Sequence, residues 1–152
     1  MEYILLLTAC INPDGMPFTC LADVGVRKKQ YIEALNFYLK NTTRKIVFVE
    51  NSGTDISSSF KDFQHRIEFL CFDGNLCFDK RKGKGYGEAL ILEYAMAKSE
   101  FITDDVLIFK LTGRLQLINI NRLIHYMDKL SPSKNFVCVV PPQNNSVDSR
   151  CF

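Results

Sequence analysis

The sequence predicts an α/β protein, with a mostly parallel central sheet and helices on both faces in three layers. Three observations predict it. Apolar runs of strand length, such as ILLL, IVFV and VLIF, are continuous rather than alternating, as strands covered on both faces require. Segments of helical period stand between those runs, the order that gives parallel strands joined by crossover helices. Polar loops follow the strands at residues 8–12, 50–55 and 110–114. In a parallel sheet these three exits share one edge, and such sheets bind ligands there.

Composition narrows the class. The 152 residues suit one domain with a real core, so residues 1–152 are expected to form a single ligand-binding domain. Apolar residues make up 47%, which argues against disorder, and a net charge of +2 is too small for a nucleic-acid partner. Cys10, Cys20, Cys71, Cys77, Cys138 and Cys151 are dispersed, with no CxxC pair. Free thiols in a reducing compartment are expected, not a disulfide framework or a zinc site. The first apolar run follows Glu2 rather than a basic stretch and reads as a core strand, not a signal peptide. No run reaches the length of a membrane span, so the expected setting is the cytoplasm, with work beside a membrane still allowed.

Taken in order, residues 3–8 form the first strand. The loop over residues 9–26 carries Pro13, Gly15, Pro17 and Gly25, and a long loop after a first strand is a common place for ligand contacts. Residues 27–40 read as an amphipathic helix, with Tyr31, Ala34, Leu35, Tyr38 and Leu39 inward and the lysines on a solvated face. Residues 45–50 form the second strand. It runs into Asn51, Ser52, Gly53, Thr54 and Asp55, types that turn a chain and cap a helical segment at 57–63. A third strand at 66–71 and a turn around Gly74 lead to the basic run Lys80, Arg81 and Lys82. Gly83, Gly85 and Gly87 then open a helix over roughly residues 87–99. The fourth strand, 106–110, is expected to deliver Lys110, Thr112, Gly113 and Arg114 into a turn. A helix at 121–130 and a fifth strand at 136–140, stopped by Pro141 and Pro142, complete the set.

Two of these stretches carry candidate chemistry. Glycines let a backbone come close to a ligand, and a helix start offers free N–H groups to an anion. Lys110 and Arg114 would supply the countercharge that a phosphate needs. Together they read as half of a site for a phosphate-bearing small molecule. The plainer alternatives are a glycine-rich helix start that serves packing and an ordinary exposed turn. GKGYGE has the spacing of neither a dinucleotide fingerprint nor a P-loop. His65 and His125 lack partners at ligand spacing, and Asp104 and Asp105 precede a strand, at the edge opposite the site.

VFVENSGTDIS resembles the V-V-D-[ND]-x-S-x-D-x-[ST] segment of glycosyltransferases with the GT-A fold. GKGYGEALILEYAMAKS resembles the helix that precedes their metal-binding strand, and KLTGRLQLIN and DSRCF are similar to bacterial enzymes that build capsule or lipopolysaccharide glycans. The pieces come in the family's order over most of the chain. The resemblance implies a GT-A, Rossmann-like fold. It also implies transfer of a sugar from a nucleotide-sugar donor to a surface-glycan or lipid-linked acceptor, at the inner face of the membrane.

By the same resemblance, Thr8 and Ala9 would border the nucleobase, and Glu50 and Asn51 would hydrogen-bond the base or ribose, with Asp55 at the pocket edge. Gly83, Lys84 and Gly87 would lie against the ribose-diphosphate. Lys110, Leu111, Thr112, Gly113 and Arg114 stand where the family places the Asp-x-Asp that holds a divalent metal. That replacement points to transfer without a metal, with Lys110 and Arg114 offsetting the leaving group's charge. No cofactor is expected beyond the donor. The family's domains run further and carry the acceptor site and catalytic base there, so this chain is expected to lack that half or to complete it with a partner chain. No catalytic residue is assigned, and Asp148 is the one acid named as a candidate. Two alternatives stay open: a non-catalytic nucleotide- or sugar-phosphate-binding module, and a nucleotidyltransferase. The lack of Arg or Lys in CINPDGMPFTC counts against the second.

Overall fold

The continuous apolar runs do form parallel strands. The computed structural model describes residues 2–16, 19–76 and 79–129. In chain order these give β1 (Glu2–Ala9), α1 (Val24–Asn41), β2 (Lys45–Glu50), β3 (Ile67–Cys71), α2 (Gly83–Lys98), β4 (Val106–Thr112) and α3 (Ile120–Met127). The four strands make one sheet in the order β3-β2-β1-β4, and every pairing is parallel. The expected α/β class with a Rossmann-like sheet is therefore observed.

Strand alternation divides the core between two helical layers. Tyr3, Leu5, Leu7 and Ala9 of β1 pack with Tyr31, Ala34, Leu35 and Tyr38 of α1 and with Ile120 and Ile124 of α3. Ile4 and Leu6 face the other way, with Val47 and Val49, onto Ile91 and Ala95 of α2. Strands sandwiched like this bury apolar side chains on both faces, which is why the runs do not alternate in sequence. From β1 the chain steps outward to β2 and β3, then returns to lay β4 on the other side of β1. The carboxyl ends of β1 and β4 thus flank the point where the winding reverses, the place where open α/β sheets hold ligands.

Several boundaries differ from the sequence reading, each for a local reason. Helix α1 starts at Val24, inside the expected loop, because Asp23 caps it by accepting the Val26 N–H at 2.7 Å. Arg27, which the sequence reading placed on neither face of this helix, is buried. Helix α2 starts at Gly83 and not near Gly87. Gly83 takes a positive φ of 79° where a 3-10 turn at Lys80–Lys82 hands over to the α-helix, so Gly85 and Gly87 lie inside the helix. Residues Ser57–Phe63 form 3-10 turns broken at Phe60. Strand β4 runs on to Thr112, paired with Thr8 of β1, which places Lys110 inside the strand and not in the turn. The last helix is Ile120–Met127. The expected strand at 136–140 and Asp148 lie outside the described residues. No helix among the described residues is long and apolar enough to cross a membrane.

Candidate functional site

The loops that leave β1, β2 and β4 are tied to one another below a cavity of about 410 Å³. Glu50, at the end of β2, makes the central knot. Its carboxylate accepts the backbone N–H groups of Ile11 (2.8 Å), Ser52 (2.9 Å) and Thr54 (2.8 Å), and also the Ser52 hydroxyl. One acid therefore fixes the β1 and β2 exits to each other. A second tie, from the Asn12 N–H to Ser52 Oγ at 2.9 Å, runs alongside. Beyond it, residues 13–16 turn back on themselves, with Asp14 and Gly15 at positive φ and the Met16 N–H bonded to the Pro13 carbonyl at 2.9 Å.

Helix α1 braces the same loop. Arg27 donates to the Cys10 carbonyl through Nε (2.9 Å) and Nη2, and to the Leu21 carbonyl through Nη1 (3.0 Å). Its guanidinium thus staples the two ends of the 10–21 segment together. One turn on, the Tyr31 hydroxyl accepts the Cys10 N–H at 3.0 Å. Burial pushes the Tyr31 phenol above its ordinary pKa, so it stays protonated and works as a neutral partner.

The third exit is set by close packing. The Gly113 N–H bonds to the Thr8 carbonyl at 2.8 Å, and a Cβ on Gly113 would lie 2.8 Å from that same oxygen. Only glycine lets β4 end so near β1. The chain then turns over residues 112–115, closed by Leu115 N–H to Thr112 C=O at 3.0 Å. The Tyr38 hydroxyl holds it from below, donating to the Leu115 carbonyl at 2.7 Å and accepting the Leu117 N–H at 3.1 Å. This fixes Arg114, whose Nη1 reaches Gln30 Oε1 at 3.4 Å.

The cavity wall draws on each of these parts. Of the expected site residues, Thr8, Ala9, Asn51, Lys84, Gly87, Thr112 and Arg114 line it. Glu50, Asp55, Gly83, Lys110 and Gly113 do not. Glu50 is 1% exposed and committed to backbone N–H groups, and Asp55 accepts the N–H and hydroxyl of Ser57 at 2.8 and 2.9 Å, as a turn-capping residue does. Gly113 serves strand contact, and Gly83 the helix start. Lys110 is 0% exposed and pairs with Glu88 of α2 behind the wall. It is not the exposed phosphate ligand that the turn reading expected.

Sequence reasoning missed Arg27, Tyr31, Glu88, Ile91 and the loop residues Cys10, Pro13, Met16, Thr19, Cys20 and Leu21, all on the wall. Two signals were available. Arg27 falls one turn before Tyr31 on the inward face of α1. Lys110 and Glu88 are opposite charges at apolar positions of a buried strand and a core-facing helix.

The electrostatics of the wall favour an anion. Arg27, Lys84 and Arg114 outnumber Glu88, whose charge Lys110 balances from behind. Helix α2 begins beside them with no side-chain cap and no acid in its first turn, so its dipole adds in the same sense. Asn51 adds an unfilled acceptor, because its Oδ1 is buried with no hydrogen-bond partner among the described residues. Among the described residues no group of three or more His, Cys, Asp or Glu is placed to hold a metal ion. No family model matches the chain, and neither does any curated protein or solved structure at the similarity that would show kinship.

Proposed function

We propose that the cavity binds a nucleotide-sugar donor and that the chain is a glycosyltransferase, or the donor-binding portion of one, acting on a surface-glycan acceptor. One observation carries this reading: a cavity of about 410 Å³ at the switch point between β1 and β4, with Lys84, Arg114 and the start of α2 on its wall. That volume lies within the roughly 300–1,000 Å³ typical of small-molecule sites. Arg114 and Lys84 would hold the diphosphate, the first as a planar fork and the second as a point charge. Ala9, Asn51 and the lining residues at 10–16 and 19–21 would enclose the nucleoside, with Asn51 Oδ1 accepting from a base N–H or a hydroxyl. The transfer step itself comes from the motif resemblance, and so does the lipid-linked acceptor that would place it beside a membrane.

Calorimetric titration with a panel of nucleotide sugars, in EDTA and then with Mn²⁺, tests the reading. Binding in EDTA, weakened about tenfold or more in Arg114→Ala, is the expected result for loss of a charged hydrogen bond. Release of nucleoside diphosphate on adding a glycan acceptor would establish transfer. Donor binding with no release from any acceptor would leave a non-catalytic binding module. No binding of any nucleotide sugar would remove the proposal.

A further inference from the structure

Glu88 is the one acid on the cavity wall among the described residues, and phosphate binding gives it no task. Its Oε1 accepts the Thr8 hydroxyl at 3.3 Å and the Lys110 ammonium. Lys110 is fully buried behind it, while the Glu88 side chain keeps 24% of its surface exposed. The second oxygen, Oε2, has no hydrogen-bond partner among the described residues and is not among the buried unpaired atoms.

The fold alone does not ask for this arrangement. A buried ion pair contributes little beyond what apolar side chains of the same shape would give, and position 110 sits between Phe109 and Leu111 in a strand that is apolar from Val106 to Leu111 apart from this lysine. What the pair does is hold a carboxylate still, with one oxygen anchored and the other unpaired, on a side chain that lines the cavity. On α2, Lys84, Gly87, Glu88 and Ile91 form one stripe along the wall, so the cation and the carboxylate stand one helical turn apart. Glu88, neutralised by Lys110, offers a phosphate no hydrogen bond, whereas a hydroxyl beside a phosphate drawn to Lys84 would donate to it.

We infer that Glu88 is a specificity-determining contact, whose free oxygen accepts a hydrogen bond from a hydroxyl of the ligand's ribose or glycosyl unit. Thr8 and Lys110 are positioning residues for it. This rests on the nucleotide-sugar reading and adds the group that separates a sugar-bearing ligand from a bare phosphate.

The test compares wild type with Glu88→Gln and with the paired variant Glu88→Gln plus Lys110→Met. The paired change removes both charges together, so the buried ammonium never loses its carboxylate partner, and thermal melts report whether each variant folds. Affinities are measured for pyrophosphate, ribonucleoside diphosphates, their 2′- and 3′-deoxy counterparts, and nucleotide sugars. The pair is neutral overall, so pyrophosphate affinity should stay within about threefold while binding of the hydroxyl-bearing ligand falls about tenfold or more. A fall seen with ribonucleoside diphosphates but not with a deoxy counterpart puts the hydroxyl on the ribose. A fall seen with nucleotide sugars alone puts it on the glycosyl unit. Folded variants that bind every ligand as tightly as wild type, or that lose pyrophosphate equally, overturn the inference. If wild type binds none of the nucleotides, the nucleotide reading falls first and this contact with it.

Discussion

At the scale of single residues, a charge inside this protein has to be read from its partners. Glu50 and Lys110 both looked like ligand contacts, and both are buried in protein-protein bonds. Truncating Glu50 to Ala would leave three backbone N–H groups without their acceptor, at about 1–3 kcal/mol each. Denaturant unfolding should therefore show a loss of more than about 3 kcal/mol, with Glu50→Gln losing less. A result near zero would mean that water replaces the carboxylate. Cys71 provides a second check, because burial and the neighbouring Glu50 carboxylate push its thiol from near 9 up to about 11. A thiol pKa raised by folding adds stability that is whole below the unfolded value and is lost as pH climbs from about 9 towards 11. Alkylation mapped by mass spectrometry should accordingly label exposed Cys20 readily at pH 8 and leave Cys71 largely unmodified until the pH nears 11. Neither the Glu50 knot nor the Arg27 staple was legible in the sequence, since both join segments whose proximity only the fold supplies.

At the scale of elements, existence and order were legible, and ends were not. The strands were recognised because apolar runs of four or more residues between turn signals leave few other readings. The helix ends moved because single residues decide them. Asp23 moved the start of α1, and removing its cap by Asp23→Ala should cost about 0.5–2 kcal/mol in thermal or denaturant unfolding. The end of β4 depends on Gly113. Gly113→Ala would drive a methyl against the Thr8 carbonyl, so a loss of about 1–3 kcal/mol is expected, together with weaker ligand binding as Arg114 shifts. Unchanged stability in that variant would mean the β1 and β4 exits are more loosely coupled than their 2.8 Å hydrogen bond implies.

At the scale of the whole molecule, the rule that ligands bind beyond the carboxyl ends of parallel strands located the cavity before any contact was known. Seven of the residues expected at the site line it: Thr8, Ala9, Asn51, Thr112 and Arg114 stand at or just past strand ends, as the rule requires, and Lys84 and Gly87 come from the start of α2. The rest of the wall comes from loop residues at 10–16 and 19–21, from Arg27 and Tyr31 of α1 and from Glu88 and Ile91 of α2, whose approach to the strand ends depends on long-range packing. On the proposed function, a phosphate-bearing nucleotide sits in this cavity. Backbone amide shifts of ¹⁵N-labelled protein, followed while a nucleoside diphosphate or nucleotide sugar is titrated in EDTA, test it most directly. Saturable shifts are expected at residues 8–10, 51, 84–88 and 112–114, with Glu68 and Ser99, at the opposite end of α2 from the cavity, unmoved. Shifts centred away from those residues, or none at millimolar ligand, would contradict it.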